Sequence, residues 1–151
     1  MKSKSVIVVI VFTFLWMGFV GAISFMEAWL KFRAPGITIS LGLGIGRLVF
    51  SALNKVEWFF CIVLMLNLVF MSKNKMVKRS LISWLGICFC ILLVQTWGLL
   101  PILDKRAELY LQGALVPASN VHFYYVVLEV CKEMLLLIFG VSLIKNNLLK
   151  S

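Results

Sequence analysis

Apolar residues run through this chain in four long blocks, separated by short stretches that carry charge, glycine or proline. Inside each block the polar residues do not recur at the 3.6-residue period of a helix with one wet face. Continuous apolar blocks of about 20 residues match a helix crossing a hydrocarbon core about 30 Å thick. The pattern predicts an all-α, polytopic membrane protein, a four-helix transmembrane bundle with spans at about 6–26, 52–71, 80–100 and 121–144. The whole of 1–151 forms a single membrane domain.

The breaks between blocks have physical causes. Arg33-Ala34-Pro35-Gly36 ends the first helix, because the residue before proline avoids the α region and glycine closes helices readily. The segment from Ile37 to Gly46, with Gly42, Gly44 and Gly46, is expected to be a loop leading into a second helix over Ile45 to Met71. Its GxGxG spacing has no preceding strand and no Lys-Ser/Thr ending, so it is not a phosphate loop. Arg47, Asn54, Lys55 and Glu57 crowd the start of that helix and place it at headgroup level. The third helix should stop at Pro101, with a short interfacial helix over Leu103 to Gln112 and a polar loop to Asn120.

Composition sharpens this picture. At 62% hydrophobic and 14% charged residues, with a mean hydropathy of +1.04, the chain is too apolar to hide its side chains in a soluble core. The net charge of +9 comes from Lys and Arg at the block ends rather than from a contiguous basic stripe, which argues for orientation in a bilayer and against nucleic acid. With the N-terminus inside, eight basic residues (Lys2, Lys4, Lys73, Lys75, Lys78, Arg79, Lys145 and Lys150) fall on the cytoplasmic side. Six (Lys31, Arg33, Arg47, Lys55, Lys105 and Arg106) fall on the other. Both termini are therefore expected in the cytoplasm, in a bacterial inner membrane. Lys2 and Lys4 before Val6 to Phe25 resemble a signal peptide, but the apolar run exceeds an h-region of about 7–15 residues and no clean cleavage site follows. A retained helix is expected. Gly18 and Ala22 form a small-xxx-small pair suited to close packing within the bundle.

The candidate chemistry lies in the fourth block. Glu129, Lys132 and Glu133 stand inside an otherwise apolar span, and each costs roughly 2.5–3.5 kcal/mol to insert, so they are expected to face protein or water. At 100° per residue they share a stripe with His122 and Tyr125. Glu27, Arg47, Asn54, Glu57 and Gln95 reach a similar level from the other helices. The ten residues define a polar cluster or cavity opening outward, with Arg47 and Lys132 as counter-charges to Glu129 and Glu133. Such a cluster also serves as interhelical glue.

Enzymatic readings find little footing. Cys61, Cys88, Cys90 and Cys131 lie in apolar blocks without a CxxC, so neither a disulfide nor zinc is expected. A single histidine cannot ligate a bis-His haem or a multi-His metal centre. No GxSxG, HExxH or kinase signature occurs. No catalytic residue, metal or cofactor is expected.

Gly18, Phe25, Phe32 and Pro35, the glycine-rich approach to Arg47–Phe50, Trp97 to Pro101, and His122 with Glu129 follow an order that resembles small bacterial four-span membrane proteins of unknown function. More distantly, it resembles the transmembrane protein 205-like family. The likeness covers most of the chain, which departs from it in carrying Lys132 and Glu133. It implies four helices and a membrane address, and no reaction. The expected function is to bind or conduct a small ion or amphiphilic molecule through the outward polar cluster. The alternative is a non-catalytic accessory or assembly subunit. Expected partners are the lipid bilayer and either another membrane protein or further copies of the chain.

Overall fold

The computed structural model describes residues 2–73 and 79–147, which are helical over most of their length, with no strand among them. The core of the basic loop expected at 73–79 and most of the basic tail lie outside the described residues. Helix α1 is Lys2–Val20, continued by a π-helical turn Gly21–Glu27, a short α-helical piece Ala28–Leu30 and a 3-10 turn Lys31–Arg33. Helix α2 is Ile39–Lys73. Helix α3, Arg79–Leu93, runs through a second π-helical turn, Val94–Leu99, into α4, Leu100–Leu111. Helix α5 is Val121–Asn147.

Three of these rods, 4–33, 39–71 and 81–111, are long and apolar enough to cross a membrane. The rod 121–147 is only slightly shorter, but Glu129, Lys132, Glu133 and Lys145 interrupt its apolar sequence. Helix α1 packs between α2 and α5, α3 packs against α5 and more lightly against α2, and α4 lies along the start of α2.

A 3-4 spacing of buried positions explains why these faces meet. In α1 the buried residues are Val6, Val9, Thr13, Trp16 and Val20; in α5 they are Tyr125, Glu129, Lys132, Leu136, Phe139 and Leu143. Alternating steps of three and four keep one stripe of a helix against its neighbours. The opposite faces are equally apolar: Val127, Val130, Met134, Leu137 and Ile138 of α5 are all exposed. Hydropathy alone therefore hides the stripe.

Two loops behave as their sequences dictate. Ala34 is extended before Pro35, and Gly36 takes φ +81°, a left-handed conformation that glycine adopts without penalty. Thr38 then caps α2, its Oγ1 accepting the Leu41 N–H at 3.2 Å. At the other end Gly113 takes φ +74° and the Ala114 N–H reaches back to the Leu109 carbonyl at 3.0 Å, the closure that ends α4.

Three expectations are corrected. Helix α2 begins at Ile39, so most of the glycine-rich segment expected as a loop is helix. Its glycines provide close approach instead: a Cβ at Gly42 would stand 2.2 Å from the Phe32 ring, and one at Gly46 would stand 3.0 Å from Lys31 Nζ. The third helix does not stop at Pro101. In the widened turn before it the Leu100 N–H bonds to the Gln95 carbonyl, five residues back, and this loosened geometry accommodates a residue with no N–H of its own. Gly18 and Ala22 do not form a packing seam: Gly18 is exposed with no atom within 4 Å of a Cβ position, and Ala22 is exposed.

Candidate functional site

The polar residues separate into two neighbouring sites. One is sealed inside the bundle, and each of the four long rods supplies a member from its buried stripe. Trp16 comes from α1, Glu57 from α2, Gln95 from the π-helical turn after α3, and Glu129 and Lys132 from α5. All five are completely buried.

Lys132 Nζ is the hub. It pairs with Glu57 Oε1, stands 3.2 Å from Glu129 Oε1 and donates to Gln95 Oε1 at 2.8 Å. Those three oxygens match the three donors of an ammonium group. The Gln95 amide also donates to Glu129 Oε1 at 2.9 Å, and Trp16 Nε1 donates to Glu57 Oε1 at 2.9 Å. Each carboxylate therefore spends one oxygen on the network. The other oxygens, Glu57 Oε2 and Glu129 Oε2, are buried with no hydrogen-bond partner, as is the hydroxyl of Tyr125 one turn before Glu129.

The two π-helical turns place polar side chains inward. Such turns hold one residue more than an α-helical turn and rotate the side chains that follow. Gln95 is the buried residue of the second turn and Ser24 that of the first. Glu133 lies at the edge of the cluster, half-buried and against α1, where a Cβ on Gly21 would stand 4.0 Å from its Oε1.

The other site is a cavity of about 550 Å³ at the end of the bundle where α1 finishes and α2 and α5 begin. Its apolar walls come from residues such as Phe32, Phe50, Leu100 and Pro101, and its polar lining includes Lys31, Arg47, Lys55, Asp104 and His122. Arg47 donates to both oxygens of Asp104, through Nε to Oδ1 and through Nη2 to Oδ2 at 3.1 Å, a bidentate pair that ties α2 to α4. Lys31 pairs with Glu27 at 3.1 Å. Asn54 and Trp58 both donate to Thr96 Oγ1 at 2.9 Å. Tyr125 lines the cavity while its ring is buried, so it lies between the cavity and the sealed cluster.

Of the ten residues expected to cluster, Glu57, Gln95, Glu129 and Lys132 meet in the interior. Arg47, Asn54, His122 and Tyr125 line the cavity, while Glu27 and Glu133 lie at the margins. Lys132 pairs with Glu129 and with Glu57 rather than with Glu133, and Arg47 answers Asp104 rather than Glu129 or Glu133. Sequence reasoning missed Trp16, Thr96 and Asp104. Trp16 carried a usable signal, since an indole N–H in the middle of an apolar span needs an acceptor.

The chain matches no family model, no curated protein and no solved structure.

Proposed function

We propose that this chain is a four-span protein of a bacterial inner membrane, with both termini in the cytoplasm, whose outward cavity binds a small amphiphile with an anionic headgroup. The cavity carries this reading. Its lining holds three cations, Lys31, Arg47 and Lys55, against one carboxylate, Asp104, above walls of aromatic and aliphatic side chains. The excess stays positive when Glu27, the partner of Lys31, is counted. A volume of about 550 Å³ lies in the range of small-molecule sites.

Membrane insertion of all four rods is supported by where α5 keeps its charges. Glu129 and Lys132 point inward and are fully buried, so the outward face of α5 is as apolar as those of the other rods. Exposed Trp29, Trp97, Tyr110 and Tyr124 gather around the cavity end, as aromatic side chains do at a headgroup boundary. The accessory-subunit reading, in which intramembrane charges await a partner protein, draws less support because Lys132 meets its carboxylates within the chain.

Binding is tested with the protein in nanodiscs, titrated calorimetrically with dodecyl phosphate and with dodecyltrimethylammonium. The phosphate should bind more tightly, and Lys55→Gln should weaken it; equal binding of the two would refute anion selectivity. Topology is tested separately. A cysteine at Ser119 should react with a membrane-impermeant maleimide on intact cells and one at Ser151 only after lysis; the reverse pattern inverts the assignment.

A further inference from the structure

We propose that the buried Glu57–Lys132–Glu129 cluster is a proton-binding site, holding one proton shared between the two glutamates and exchanging it with the cavity through the Tyr125 hydroxyl. This goes beyond the cavity's ligand and does not depend on what that ligand is.

Charge balance is the first argument. Two carboxylates face one ammonium, and all three side chains are completely buried. The other titratable groups that these elements bring to the cluster add no positive charge. Helix α2 also brings Cys61, α3 brings Cys88, and α5 brings Tyr125 and the half-buried Glu133; from α1 the cluster receives only the neutral indole of Trp16. Arg47, on the same helix as Glu57, is engaged with Asp104 in the cavity. An unbalanced negative charge out of reach of water is strongly unfavourable, and two carboxylates sharing such a site do not both ionise. One proton on the pair leaves one carboxylate for Lys132 and makes the cluster neutral.

Hydrogen bonding is the second argument, and it is independent of charge. Every donor that reaches the two carboxylates lands on Oε1, from Trp16 and Lys132 to Glu57 and from Gln95 and Lys132 to Glu129, while both Oε2 atoms are buried and unpartnered. An Oε2 that carries the proton becomes a donor, and the unpartnered Tyr125 oxygen, one turn from Glu129, is a candidate acceptor.

Tyr125 supplies the connection because it both lines the cavity and abuts the cluster. Uptake is balanced: once cavity water reaches the buried phenol, the phenol gives its proton to Glu129 Oε2 while its oxygen takes one from a hydronium ion, which leaves as water. Release runs the same transfers in reverse.

Infrared spectroscopy of the purified protein in nanodiscs tests the proposal without any ligand. At neutral pH the wild type should show the carbonyl stretch of a protonated, buried carboxylic acid, shifted in heavy water. Glu57→Gln and Glu129→Gln should each abolish that band, because Lys132 neutralises whichever glutamate remains. Because Glu133 Oε1 is also buried without a partner, these variants are read in a Glu133→Gln background, in which the band itself should remain. Tyr125→Phe should keep the band and slow its deuterium exchange by about tenfold or more, as expected when a positioned proton-transfer group is lost. A wild type without the band overturns the site, and this measurement stands even if a variant fails to fold. A band that survives Glu57→Gln or Glu129→Gln overturns the sharing, and unchanged exchange in Tyr125→Phe overturns the route.

Discussion

Lys132 of α5 meets Glu57 of α2 inside the bundle with both side chains wholly shut off from solvent, and this contact joins two helices 75 positions apart in the chain. Each ion gives up several kcal/mol of hydration on burial, which mutual attraction offsets only where further hydrogen bonds hold the geometry. Gln95 and Trp16 provide those bonds. The layer they form fixes the register of four otherwise greasy rods, because sliding any one of them by a turn would leave a buried charge or hydrogen-bonding group without its partner.

Lys132→Met should accordingly destabilise the fold by about 3–5 kcal/mol, since it leaves Glu57 and Glu129 without their cation. The triple variant Lys132→Met/Glu57→Gln/Glu129→Gln should recover most of that loss. Denaturation in detergent followed by circular dichroism measures both. A single variant as stable as wild type would show that the ammonium contributes nothing to the fold.

Trp16→Phe removes the one donor that α1 gives to the cluster. A hydrogen bond to a charged group contributes about 1.5–3 kcal/mol, and the loss should approach that range. In a Glu57→Gln background the same substitution should cost less, because the acceptor is then neutral. Equal costs in both backgrounds would assign the effect to packing of the fully buried indole rather than to the hydrogen bond.

How much of this was legible beforehand follows from what each residue type demands. Glu129, Lys132 and Glu133 announced themselves because ionised groups in an apolar span must find partners, and the helical period put Tyr125 on the same stripe. The long apolar blocks announced helices as directly. Pairings between helices were not legible, since nothing in the chain says which rods are neighbours. Arg47 was therefore assigned to the interior carboxylates although Asp104, on a segment expected to be separate, lay within its reach. Glycine was the other source of error: Gly42, Gly44 and Gly46 read as a flexible loop, whereas their missing side chains let α2 run as helix close under Phe32, Leu111 and Lys31.

Arg47 and Asp104 should behave unlike the interior pair. Their side chains are 31% and 47% exposed, so water and salt screen them. A double-mutant cycle with Arg47→Ala and Asp104→Ala should give a coupling far weaker than that of the interior pair, shrinking as salt is raised. A coupling as strong as the interior one and indifferent to salt would mean that this end of the bundle is far drier than its exposure indicates.

Gly42→Ala tests whether α2 depends on close approach. The added methyl would stand 2.2, 2.7 and 2.9 Å from three atoms of the Phe32 ring, inside any tolerable contact, so the ring or the end of α1 must move. Overpacking of this kind costs about 1–3 kcal/mol, and the half-open position of Phe32, 40% exposed, lets the ring swing and favours the lower end. Adding Phe32→Ala should relieve the clash, so that the double variant is more stable than Gly42→Ala alone even though Phe32→Ala by itself is destabilising. Because Phe32 and Gly42 both line the cavity, Gly42→Ala should also alter dodecyl phosphate binding. If the two substitutions simply add, in stability and in binding, the glycine is not there to admit the ring.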